Sequence, residues 1–122
     1  MDNTRTIPAE ESASTAQHPN YEERIAQVVR GNLTPKIMRE QLLTYHENDI
    51  AAAMDLLKKE DRYRLYSVLS PETLADVLEY SERINEYVGE LILRKRVEVL
   101  AHLEPSVAVD YLQEVEKGER AA

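Results

Sequence analysis

Leu33-Thr-Pro-Lys-Ile-Met-Arg-Glu-Gln-Leu42, Leu69-Ser-Pro-Glu-Thr-Leu-Ala-Asp-Val-Leu78 and Leu103-Glu-Pro-Ser-Val-Ala-Val-Asp-Tyr-Leu112 are three copies of one pattern, set at nearly even intervals along the chain. A period of about 35 residues marks a stack of small helical units, each too small to bury its own apolar face without a neighbour. Each copy reads as a helix start. Thr34, Ser70 or Glu104 can satisfy the free N–H groups of the first turn, and Pro35, Pro71 or Pro105 sits at the first helical position, where its missing N–H costs little. Leu33, Leu69 and Leu103 precede the caps and are spaced to pack on Met38, Leu74 and Ala108, setting the chain's approach to the helix the same way three times. Glu40, Asp76 and Asp110 follow two residues after those staple positions, a turn of about 200° on a helix. The acids should therefore point outward, and Leu42, Leu78 and Leu112 inward.

From residue 21 onward the apolar spacing is helical throughout. It predicts helices over 21–30, 35–45, 49–58, 60–69, 71–80, 82–93, 94–102 and 105–117, the first ending at Gly31-Asn32 and the last at Gly118. Asp49 is expected to cap the third, in which Ile50, Ala53, Met54 and Leu57 recur at helical spacing and Ala51 to Ala53 suit close packing. Gly89 inside the sixth costs about 1 kcal/mol relative to Ala, so a close neighbouring backbone is expected there, with a kink as the competing explanation. The links are too short for anything but tight hairpins. The fold class is all-α: a right-handed or curved superhelix of short stacked helical hairpins over 21–118. Residues 1–20, with Ile7 as the one large aliphatic after Met1, read as a disordered tail, and 119–122 as a short C-terminal tail.

Composition limits what such a stack can do. A 122-residue chain with 43% hydrophobic residues suits one domain with a modest core. No cysteine is present, which removes disulfides, thiolate metal sites and thiol nucleophiles. No apolar run approaches the roughly 18 residues of a membrane span, and no basic-then-apolar leader opens the chain. A net charge of −8 opposes nucleic acid, because the longest basic cluster is Arg94-Lys95-Arg96, a solvated helix end. Seven Tyr without Phe or Trp read as core residues with their hydroxyls at its edge.

Catalysis finds no motif: there is no glycine-rich phosphate loop, no His-Glu-x-x-His and no serine in a nucleophile-elbow setting. His18, His46 and His102 are far apart and read as structural; His46 caps or packs, and His102 favours a helix C-terminus. The carboxylates are the residues with chemistry to offer. Magnesium takes oxygen ligands and keeps several waters, so one or two carboxylates at an interface can hold it. Solvation of the helices explains the same acids equally simply.

The stretches 46–57, 62–69, 70–78 and 99–115 resemble the cytosolic N-terminal domain of the MgtE magnesium transporter family, with the likeness extending over about 24–117. The shared pattern is leucines, acids and a Leu-x-Pro-Glu helix start. The resemblance implies a regulatory Mg²⁺-sensing domain on the cytoplasmic face of the membrane. In the family this domain precedes paired CBS domains and a homodimeric membrane pore, none of which this chain contains. Mg²⁺ between the domain and the CBS domains holds the pore shut, and without the ion the facing acids repel and the domain swings away. By position the interface acids fall on Asp76 and Asp110. A third falls on Ser106, a weaker ligand than a carboxylate, whose place Glu104 or Glu114 could take. Mg²⁺ binding by the isolated domain is expected to be weak or absent. The alternative is a metal-independent interaction module related to the flagellar motor switch protein FliG. A tetratricopeptide array shares the period but needs Trp-x-x-Leu-Gly and Ala-x-x-x-Phe positions that are missing.

Overall fold

The computed structural model describes residues 20–121, and within them every regular element is a helix. They are α1 (Tyr21–Arg30), α2 (Pro35–Leu42), α3 (Glu47–Met54), α4 (Lys59–Val68), α5 (Pro71–Leu78), α6 (Ile84–Glu90), α7 (Leu93–His102) and α8 (Pro105–Ala121). The tail expected over 1–20, and His18 with it, lies outside the described residues except for Asn20. That residue caps α1 by accepting from the Glu23 N–H at 3.1 Å.

The repeated helix starts form as the pattern predicts. Thr34 Oγ1 accepts from the Ile37 N–H, Ser70 Oγ from the Thr73 N–H, and Pro35 and Pro71 occupy the first turn. Leu69 and Leu103 are buried with Met38 and Leu74, while Leu33 and Ala108 pack against that core from its edge. One cap differs from expectation: His46, not Asp49, begins α3, its Nδ1 accepting from the Asn48 N–H at 3.0 Å. Asp49 lies in the first turn instead, where its charge favours the helix dipole.

Stacking runs α1 on α3, α3 on α5 and α5 on α7, with α2 and α4 against α1 and each other, and α6 against α5 and α7. Ile25 and Val29 of α1, Ile50 and Met54 of α3 and Leu74 and Leu78 of α5 lie inside one continuous core. Glu40, Asp76 and Asp110 are all exposed, as their place on the helix opposite the buried stripe requires.

Three expectations fail, each for a tertiary reason. Leu112 is 53% exposed, whereas Leu42 and Leu78 are 0% exposed. α2 and α5 turn back after their leucine and are covered by later helices, but α8 runs straight on through Gly118 to Ala121. A glycine with open space around it does not by itself stop a helix. Gly89 meets no neighbouring backbone: a Cβ there would lie 3.9 Å from the Tyr111 hydroxyl, an ordinary contact. Of the tyrosines only Tyr66, Tyr87 and Tyr111 are buried, while Tyr21, Tyr63 and Tyr80 are exposed.

Candidate functional site

Asp76 projects from α5 into a surface recess of about 410 Å³ that it lines with Glu47, Glu79 and Tyr80. Glu47 arrives from the first turn of α3, and Glu79 is the C-cap of α5. The recess is held open by contacts at its rim. The Glu104 N–H donates to Glu79 Oε2 at 2.7 Å, tying the α7–α8 turn to the end of α5. His46 stacks edge-on against Tyr80 with ring centroids 5.6 Å apart. Asp76 itself makes no ion pair among the described residues, so its carboxylate is available to solvent or to a cation.

Asp110 occupies the same register position on α8 but different surroundings. Its Oδ2 accepts from Asn85 Nδ2 at 3.1 Å, which joins α8 to α6. The remaining sequence-predicted residues divide between the two acids. Ser106 and Glu114 stand one turn either side of Asp110 on α8, both exposed. Glu104 belongs with Glu79 and hence with the Asp76 recess. No group of three His, Asp or Glu among the described residues is assembled closely enough to hold a metal ion. The donor chemistry fits a hard cation, and the number of donors at either acid amounts to part of a coordination sphere.

A second constellation was invisible in the sequence. Arg62 on α4 and Glu90 on α6 are each almost fully buried and form a two-pronged pair, Nε to Oε1 at 2.9 Å and Nη2 to Oε2 at 2.6 Å. The third Arg62 nitrogen donates to the Leu57 carbonyl, and the Tyr66 hydroxyl donates to Glu90 Oε1 at 2.6 Å. Beside them the Tyr87 hydroxyl donates to Asp55, and the guanidiniums of Arg62 and Arg83 lie 5.0 and 4.9 Å from the Tyr87 ring centre. Burial pushes the Glu90 carboxyl up, but the hydrogen bonds from Arg62 and Tyr66 more than reverse it and leave it below its ordinary value. Burial together with the carboxylate beside each pushes the Tyr66 and Tyr87 hydroxyls well up. The group is a locked structural joint, charged and fully hydrogen-bonded at neutral pH. The only sequence hint of it was the pair of charged residues, Asp61 and Arg62, on the inward face of α4.

Short stacked helices that start alike and carry exposed acids at one register position define a helical-repeat domain of superhelical type. The family model for the MgtE intracellular N domain matches residues 45–122. The chain therefore belongs to that family. It is also similar to a solved structure described as the soluble part of a magnesium transporter, at 26% identity and a TM-score of 0.64 over 76% of this chain. This chain spans 38% of that one. No curated protein matches it significantly. Among the described residues no helix is long and apolar enough to cross a membrane.

Proposed function

We propose that this chain is the Mg²⁺-sensing regulatory part of a magnesium transporter, and that Asp76 and Asp110 are its half of an ion-bridged contact with CBS domains of the same protein. The observation that carries the reading is positional. Asp76 and Asp110 stand exposed at the same place in successive units, both inside the family-matched segment, while Glu40, their counterpart in the first unit, lies outside it. Each acid has oxygen neighbours but too few to enclose an ion, so a facing surface must complete the site. With the ion absent, like charges across the contact repel; with it bound they share a cation, and the pore is held shut. This role is regulatory rather than catalytic.

Calorimetric titration of Mg²⁺ into this chain and into the full-length transporter tests the reading. The chain alone should bind weakly, and the whole protein more tightly. Asp76→Asn and Asp110→Asn should weaken only the tighter event. Equal affinity in both proteins would remove the bridging role.

A further inference from the structure

The third unit of the stack is unfinished in a specific way. Leu57 and Arg62 in one unit correspond to Leu91 and Arg96 in the next, at the same step that separates Leu69 from Leu103. Both arginines reach back to the leucine of their own unit, Arg62 donating to the Leu57 carbonyl at 2.6 Å and Arg96 to the Leu91 carbonyl at 2.7 Å. They differ in what else they meet. Arg62 Nε is met by Glu90 of the following helix, whereas Arg96 Nε is buried and has no partner among the described residues. A buried guanidinium N–H left unpaired is costly, so this atom marks a place for a carboxylate.

The surroundings agree. Arg96 lies in a recess of about 720 Å³ between α6, the start of α7 and α8, with Ile92 and Val115 on its lining. Ile92 is 76% exposed, and Val115 continues the exposed face of α8 begun by Leu112. Asn85 Oδ1, also on this lining, is a second buried polar atom without a partner. Arg62 and Arg83 on or beside the recess are already paired, with Glu90 and Glu86 respectively.

We infer that this recess is a docking site for an amphipathic helix of a partner domain, which stacks as the next unit, lays apolar residues on Ile92 and Val115, and places one carboxylate on Arg96 as Glu90 is placed on Arg62. The interface continues the packing already present between successive units. Residues 1–19 lack the apolar residues for such a face, with one large aliphatic after Met1 and two prolines. A second copy is disfavoured by the mutual repulsion of two chains that each carry −8. The inference is independent of Mg²⁺, because the recess contains neither Asp76 nor Asp110.

A fluorescein-labelled peptide of residues 81–103, which carries Glu90 in the required register, serves as the probe. Its anisotropy should rise on addition of the intact chain. Arg96→Gln in the chain, or Glu90→Gln in the peptide, should each weaken binding roughly tenfold, and the two together no more than either alone. Val115→Asp, a change at an exposed position that leaves the fold intact by circular dichroism, should weaken binding as much. Absence of binding at millimolar chain, or equal binding by wild type and both chain variants, overturns the inference. Concentration-dependent dimerisation of the chain alone, abolished by Leu112→Asp, assigns the face to a second copy and also overturns it.

Discussion

Leu78 and Leu112 hold the same place in successive units, yet one is fully buried and the other half exposed, and Arg62 and Arg96 differ in parallel. Both contrasts have one source: the middle unit has neighbours on either side and the last does not. In a stacked array, burial and hydrogen-bond satisfaction belong to the interface between units and not to the unit. The same local sequence therefore yields a closed, locked joint in the middle and an open, unsatisfied one at the end.

The sharpest way to break this comparison is at the buried pair. Glu90→Ala strands Arg62 in the core without its partner and should cost about 3–5 kcal/mol in urea unfolding. A loss within the range of a surface ion pair, under about 1 kcal/mol, would mean that water reaches Arg62 and that the two ends are less different than their geometry implies.

Leu78→Ala should cost about 2–5 kcal/mol, because it opens a cavity between packed helices, while Leu112→Ala should stay within about 0.5 kcal/mol. Comparable losses at the two positions would show that α8 is covered in solution. Acid titration sharpens the same point. The Glu90 carboxyl is held below its ordinary value in the folded protein, so its contribution is fully present above the unfolded carboxyl range near 4.5 and disappears as pH falls through the lower folded value. Urea midpoints measured from pH 7 down to pH 3 should fall in that window, and Glu90→Gln should flatten part of the decline. The smallest expected effect is a gain: Gly89→Ala should stabilise by up to about 1 kcal/mol, since the added methyl meets only the Tyr111 hydroxyl at an ordinary distance. A loss there would point to a tighter approach of α8 than 3.9 Å.

The helix order and the helix starts were legible because they rest on short-range chemistry. Ser70, Pro71 and Leu69 act within one turn, and the outward direction of Glu40, Asp76 and Asp110 follows from helix geometry alone. What lay beyond the sequence depended on groups far apart along the chain. Glu90 reads as one more surface acid until α6 is folded against α4. Tyr87 gives no sign that it will sit beside two guanidiniums. His46 displaced Asp49 as a cap because an imidazole nitrogen can accept from the backbone as a carboxylate can.

For the candidate site the division is similar. Asp76 and Asp110 could be picked out in the sequence by their register, but not the company they keep: Glu47 and Glu79 beside the first, Asn85 beside the second. By itself, then, the sequence determined the period, the helices, the capped starts and the outward acids, since each is decided within a few residues. Only the tertiary structure decided which leucine is covered, which arginine is paired and where the stack stands open, because those outcomes depend on whether another helix packs against the unit.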